Sequence, residues 1–236
     1  MLLFSLLQVT VGADSSAVAV NAAETTKEMS LSFWDLAVKG GWIMIPIALL
    51  SVIAVYIFVE RYMKIQKAAK SDTGFMDKVK ENILAGKVND AKLICQSIDS
   101  PLARMIEKGI IRIGKPLGDV NAAIENVGKL EISKLEKGLP TLATVSGAAP
   151  MIGFLGTVMG MIRAFYDMAT VEGGNINVSV LSNGIYTAMV TTVAGLIVGI
   201  VGYLAYNILV AKVEKVVYLL EANTTEFMDM LNEPAN

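Results

Sequence analysis

The sequence predicts an all-α integral membrane protein with three transmembrane helices and long cytoplasmic helical extensions. Hydrophobic residues make up 54% of its 236 residues. Three stretches, 42–59, 139–162 and 173–211, carry no charged residue, and a helix needs roughly 20 apolar residues to cross a bilayer. The polar segment between the first two uncharged stretches has helix-capping residues and helix breakers at intervals typical of short helices.

Composition excludes most catalytic chemistry. The chain has no His, which excludes imidazole metal sites and His-based acid–base catalysis. Its single cysteine, Cys95, can form neither an internal disulfide nor a thiolate cluster. We therefore predict no enzymatic activity, no cofactor, no metal site and no nucleic-acid partner.

Residues 1–40 are predicted to be an exported segment. An apolar run from Met1 to Val11 precedes Gly12-Ala13-Asp14, as in a secretory signal with its cleavage site, and an uncleaved tail is the alternative. Residues 14–30 are rich in Ala, Ser, Thr and Glu and indicate a linker. Residues 30–39 indicate a short amphipathic helix at the membrane interface.

The first transmembrane helix is predicted at 41–60, with Trp42 at the membrane edge and Pro46 in the opening turns. Glu60 and Arg61 end the uncharged stretch and lie at the opposite membrane edge. They are interpreted as the residues that stop the span, with a salt bridge at a subunit interface as the alternative.

Residues 61–138 are predicted to form a cytoplasmic helical domain. Its candidate helix caps are Ser71-Asp72, Asn89-Asp90 and Ser100, which is followed by Pro101 at a favourable first helical position. Gly114-Lys115-Pro116 should break the chain, and Glu125 and Lys129 should pair on the last helix. That helix is expected to run through Gly138-Leu139-Pro140 into the second span, with a kink at the proline.

The second transmembrane helix, 139–166, carries one stripe of small and polar residues at alternating steps of four and three. Such stripes let helices approach closely in a membrane, where packing drives association. The stripe consists of Ser146, Pro150, Gly153, Thr157, Gly160 and Ala164. Gly156 is also assigned to helix packing, and Pro150 is assigned to a kink. Arg163 is assigned to the periplasmic edge of the second span.

The third transmembrane helix, 181–211, follows a periplasmic loop at 167–180 and repeats this pattern. Its small, partly polar face consists of Gly184, Ala188, Thr191 or Thr192, Gly195, Gly199 and Gly202. Thr187, Thr191 and Thr192 fall near mid-depth, and Thr157 falls at a depth comparable to that of Thr192. Residues 212–236 are predicted to be a cytoplasmic amphipathic helix and an acidic tail.

The distribution of charge predicts the orientation. Residues 61–138 hold fifteen Lys or Arg against ten Asp or Glu, whereas residues 167–180 hold two acidic residues and no basic one. Lys and Arg near the ends of spans favour the cytoplasmic side. The N-terminus is therefore predicted to be periplasmic and the C-terminus cytoplasmic, in a bacterial inner membrane.

Two blocks resemble the MotA/TolQ/ExbB proton-channel family. They are LEKGLPTLATVSGAAPMIGFLGTVMGMIRAF at 135–165 and GIYTAMVTTVAGLIVGIVGYLAYN at 184–207. Their order matches the family, and three spans with one large cytoplasmic insertion resemble its ExbB-like branch. The resemblance implies a homopentameric ring whose second and third spans line a pore around a dimer of a single-span ExbD-like partner.

The resemblance also implies a mechanism. An aspartate of the partner would carry the proton, and proton flow would drive a TonB-like transducer for outer-membrane transport. Thr157 and Thr192 match the family's pore threonines, and Thr187 and Thr191 are further candidate pore-lining residues. Many relatives place a glutamate where this chain has Thr187. A simpler interpretation is that each threonine bonds only the carbonyl four residues back, Gly153 for Thr157 and Ala188 for Thr192.

The lack of charged residues in the three predicted spans agrees with what the family resemblance implies. Proton pathways normally contain an intramembrane ionisable residue, and the three uncharged stretches contain none. A titrating group must therefore come from a partner. Alternative functions are a TolQ-like role in envelope integrity, a motility stator, or a non-conducting membrane scaffold.

Overall fold

The computed structural model describes residues 40–69, 74–170 and 178–232. Several predicted features lie outside these ranges: the segments at 1–39, the cap at Ser71-Asp72, residues 171–177 of the loop at 167–180, and the tail after Asn232. Every regular element in the described part of the chain is a helix. They are α1 (Met44–Ala69), α2 (Phe75–Leu84), α3 (Val88–Ser97), α4 (Pro101–Ile110), α5 (Leu117–Glu136), α6 (Leu139–Ala169) and α7 (Val178–Asn232).

Three helical stretches in this part of the chain are long and apolar enough to cross a membrane. They are α1, the stretch Leu117–Ala169 that contains α5 and α6, and α7 from Leu181 onward. Together with the composition, this makes the chain an all-helical membrane protein. At 1.5 Å per residue the 55 residues of α7 extend for about 80 Å. This helix is therefore much longer than a bilayer is thick.

Capping residues and ion pairs between neighbours along the chain were predicted for α3 to α5. The Ser100 hydroxyl accepts a hydrogen bond from the Ala103 amide at 3.1 Å and caps α4, as predicted. Glu125 and Lys129 form the predicted pair at 2.8 Å. Asn89 and Asp90 do not cap α3, because the helix begins at Val88 with Lys87 in the cap position.

The expectation of one helix running from α5 into α6 is wrong. The α5 helix ends at Glu136, and Gly138 adopts a left-handed backbone with φ of 90°. A glycine enters this region without steric cost, and Pro140 in the first turn of α6 needs no helical partner for its missing amide. The bend is thus set by the glycine, whereas Pro150 lies within an uninterrupted α6.

Helices α2 to α5, called the α2–α5 bundle below, surround a core of large apolar side chains. Ile106, Ile124 and Val79 are fully buried there, and so is Phe227 near the end of α7. The predicted packing residues Val213, Val216 and Leu220 are buried in the same core. One helix, α7, therefore supplies both a membrane span and a core element of the α2–α5 bundle.

Candidate functional site

The candidate site is the contact between α6 and α7, where small residues bring the two backbones together. A Cβ added to Gly195 would lie 2.5 Å from the Ala149 carbonyl oxygen and 2.9 Å from the Gly153 Cα. A Cβ added to Gly153 would lie 2.8 Å from the Thr191 carbonyl oxygen. Side chains larger than hydrogen would separate the helices at this level.

The turn around Pro150 has a matching glycine on α7. Pro150 has no amide hydrogen, so the Ser146 carbonyl lacks its normal helical donor. A Cβ on Gly199 would come within 3.0 Å of that carbonyl oxygen and 2.7 Å of the Pro150 Cδ. Gly199 therefore lets α7 lie directly against the proline turn.

Two threonine hydroxyls of α7 converge on one carbonyl of α6. The Thr192 hydroxyl donates to the Gly153 carbonyl oxygen at 2.9 Å. The Thr191 hydroxyl lies 2.7 Å from the Ala188 carbonyl oxygen and 3.3 Å from that of Gly153. The simpler interpretation of Thr192 named the wrong carbonyl, because its hydroxyl crosses to α6 and does not bond Ala188.

The four predicted pore-lining threonines differ in burial. Thr191 is 1% exposed and faces α6, whereas Thr157, Thr187 and Thr192 are half-buried. The Thr157 hydroxyl donates to the Phe154 carbonyl oxygen at 2.5 Å, three residues back along α6. Thr157 lies one helical turn from Gly153, so it is in the turn next to the Thr192 contact. The pore-lining role of these four threonines stays a prediction.

The chemistry available at this contact is that of neutral hydroxyl groups. No charged residue lies between Leu139 and Ile162 or between Gly173 and Ala211, and Arg163 is exposed one residue beyond the first of these stretches. A threonine hydroxyl donates one hydrogen bond and retains lone pairs that accept others. These groups can bind a protonated carboxyl group or order water, but they do not titrate.

Arg61 has a structural contact that its position at the end of the first span did not predict. Its side chain is largely buried where α1 meets the bend between α5 and α6. Its guanidinium donates to the Lys134 carbonyl oxygen at 3.3 Å and lies 3.6 Å from the Glu60 carboxylate. Arg61 thus contacts the C-terminal turn of α5, and α1 continues past both predicted edge residues to Ala69.

The sequence also did not predict a second charged cluster, which lies between α4 and α5. The Arg104 guanidinium bridges Glu131 on α5 and Asp99 before α4, each at 2.6 Å. Burial raises the pKa of Glu131, but hydrogen bonds from Arg104 and Lys134 outweigh it and leave that pKa below its ordinary value. The only sequence signal was an acidic residue on the otherwise apolar face of α5.

Comparison with known proteins identifies the group to which this arrangement belongs. Residues 97–222 match the sequence profile of the MotA/TolQ/ExbB proton channel family. This range covers α4 to α6 and the α7 contacts described above. The chain belongs to the MotA/TolQ/ExbB proton channel family.

Individual relatives come from both the ExbB and TolQ groups. An ExbB homologue of Methanothermobacter thermautotrophicus is 29% identical over 171 residues, 70% of this chain and 60% of the relative. The Tol-Pal system protein TolQ of Pseudomonas aeruginosa is 27% identical over 221 residues, 85% of this chain and 93% of its own length. The biopolymer transport protein ExbB of Aquifex aeolicus is 39% identical over 94 residues, 39% of this chain and 62% of the relative. The chain therefore spans less than two thirds of the first and third of these relatives.

Proposed function

We propose that this protein is an ExbB-like stator and proton-channel subunit of a bacterial inner membrane. Five copies form a ring in which α6 and α7 line a pore around a dimer of a single-span, ExbD-like protein. Proton flow through this complex drives a TonB-like transducer and so powers outer-membrane transport. The family match and the names of the ExbB relatives support this assignment.

One observation carries the proposal: hydroxyl groups gather at an α6–α7 contact that has no titratable residue. An isolated charge at the centre of a bilayer is costly, so ionisable residues placed there mark functional pathways. Since this chain supplies none, the proton carrier is a carboxyl group of the partner. Thr192 and Thr157 would orient that carboxyl group or a water molecule bound to it. Thr187 and Thr191 would be further pore-lining residues nearby.

Thr192→Val tests the pore role, because valine keeps the shape of threonine and removes its hydroxyl. We expect the ring to assemble and proton-dependent output to be lost. The measurement is proton flux into vesicles that contain the protein with its partner. Full flux in the Thr192→Val and Thr157→Val double variant would contradict the pore role, and an absence of proton flux in the unmodified protein with its partner would favour a non-conducting scaffold.

A second candidate is a TolQ-like role in envelope integrity, because the TolQ relative is matched over 85% of this chain. A related motility stator would share the same pore chemistry. Native mass spectrometry of gently purified complexes tests the class. Five copies together with a single-span protein that has an intramembrane aspartate would support a stator, and the identity of that protein would separate the two roles. A monomer without such a partner would contradict both.

A further inference from the structure

A groove between α1 and α7 takes no part in the proposed proton pathway. It lies on the side of α7 that faces α1 and has a volume of about 330 Å³, at the lower end of the roughly 300–1,000 Å³ typical of ligand sites. It is lined by Ser51, Ala54, Val55, Phe58, Ile197, Val198, Val201, Gly202, Leu204, Ala205 and Ile208.

The dimensions and chemistry of the groove suit a hydrocarbon chain. Along α7 it extends from Ile197 to Ile208, about 16 Å at 1.5 Å per residue. One leaflet of a bilayer has a hydrocarbon depth of about 15 Å, half of the 30 Å core. Ser51 is the one lining residue with a polar side chain, so water would find few partners there.

A positive charge lies one helical turn beyond one end of the groove. Phe58 contacts Tyr62 with ring centroids 5.8 Å apart, and the Lys212 ammonium lies 4.6 Å from the centroid of the Tyr62 ring. Tyr62 follows Phe58 by four residues, and Lys212 follows Ile208 by four, so both lie one turn farther along their helices. In the predicted orientation this end is cytoplasmic.

We propose that the groove binds one acyl chain of an anionic phospholipid from the cytoplasmic leaflet, with the lipid phosphate on Lys212. A lysine ammonium binds phosphate as a point charge, and the cytoplasmic leaflet is the anionic one. The site depends on the predicted orientation but not on the pore role of the threonines. A failure of either proposal can therefore be recognised separately.

The first test is lipid retention by the full-length protein, measured by native mass spectrometry after exchange into phosphatidylglycerol or phosphatidylcholine. A lysine near an anionic surface contributes about fivefold in affinity, so phosphatidylglycerol should be retained about fivefold better. Lys212→Gln should abolish this preference. Lys215→Gln is the matched control, because Lys215 is exposed on the same helix about one turn farther from the groove, and it should keep the preference.

Filling the groove provides a second test that does not depend on charge. Val201 lines the groove and Val193 does not, although each is 56% exposed on α7. Val201→Phe should lower the retention of both lipids, and Val193→Phe should leave it unchanged. Equal effects of the two valine substitutions, or equal effects of the two lysine substitutions, would overturn the proposal.

Photolabelling locates the bound chain. Phosphatidylglycerol with a diazirine in its acyl chain should label peptides that contain 51–58 and 197–208, and Val201→Phe should reduce this labelling. Val201→Cys should not form a disulfide-linked dimer in membranes. Efficient cross-linking of Val201→Cys between two copies, without lipid labelling, would show that a second copy of this chain covers the groove and would overturn the lipid site.

Discussion

The α6–α7 pair and the α2–α5 bundle hold helices together in opposite ways. Within the membrane, Gly195 and Gly153 bring backbones into contact, and the polar contacts come from threonine hydroxyls. In the core of the α2–α5 bundle, large side chains such as Ile106 and Phe227 are completely buried. Charged groups also contribute there, since the Glu131 carboxylate is 5% exposed and bonded to Arg104.

The two solvents explain this difference. Water drives apolar side chains into a core, so the α2–α5 bundle gains stability from large residues. Lipid tails are as apolar as leucine, so membrane helices gain mainly from close contact and interhelical hydrogen bonds. The single helix α7 meets both conditions, with Gly195 and Gly199 at one level and Phe227 at another.

The largest expected effect comes from one methyl group in the glycine contact. Gly195→Ala would place its Cβ against backbone atoms of Ala149 and Gly153, which cannot rotate away. Overpacking of this kind costs about 3 kcal/mol. We expect the free energy of unfolding, measured by circular dichroism during a denaturing-detergent titration, to fall by about this amount.

Gly202→Ala is the matched control for that substitution. Its added Cβ would lie 3.5 Å from the nearest atoms of Ser146, an ordinary contact distance. Because the added methyl group meets no clash there and alanine favours a helix more than glycine does, the free energy of unfolding should not fall. If the two alanine variants are equally stable, then the α6–α7 backbones do not approach as closely as described here.

The buried ion pair should give the next largest effect. Removing one partner of a buried pair costs roughly 3–5 kcal/mol, but Arg104 is 38% exposed and Lys134 would still bond Glu131. We therefore expect Arg104→Met to lower the free energy of unfolding by about 2 kcal/mol. Lys129→Met breaks the exposed pair with Glu125 and should lower the free energy of unfolding much less, because water screens that pair. Equal losses would mean that burial of Glu131 has no energetic consequence.

Whether a contact could be predicted from the sequence depended on how far apart its two residues lie along the chain. The Ser100 cap and the Glu125–Lys129 pair join neighbours along one helix, so spacing alone predicted them. Arg104 and Glu131 lie 27 residues apart on different helices. Periodicity assigns a residue to a helix face, but it does not determine which helix packs on that face.

The same reasoning applies to the candidate site. The small faces of the second and third spans were visible as sequence patterns, but the acceptor of the Thr192 hydroxyl lies 39 residues away on α6. Its identity depends on the relative register of two packed helices. Likewise, the buried position of Arg61 depends on the bend at Gly138, which the sequence analysis placed at the proline.

Acid should weaken the α2–α5 bundle selectively. Because the pKa of Glu131 is lowered in the folded protein from its ordinary value of 4.5, the ionised carboxylate stabilises the fold above that pH. The contribution is lost as pH falls through the lowered value. We expect Glu131→Gln to be less stable than the unmodified protein at neutral pH, with a difference in melting temperature that shrinks below about pH 4.5. A difference independent of pH would contradict this assignment.

Only a small change in stability is expected from the residue proposed to matter most for function. Interhelical hydrogen bonds in membrane proteins contribute about 0.6 kcal/mol on average, so Thr192→Val should lower the free energy of unfolding by about that much. Thr157→Val should cost less, because its hydroxyl bonds the Phe154 carbonyl within α6. If Thr192 serves the partner's proton carrier, its loss abolishes flux while the α6–α7 contact remains, because Gly153 and Gly195 still hold the helices together. A Thr192→Val variant that loses flux and also unfolds like Gly195→Ala would instead assign Thr192 a structural role.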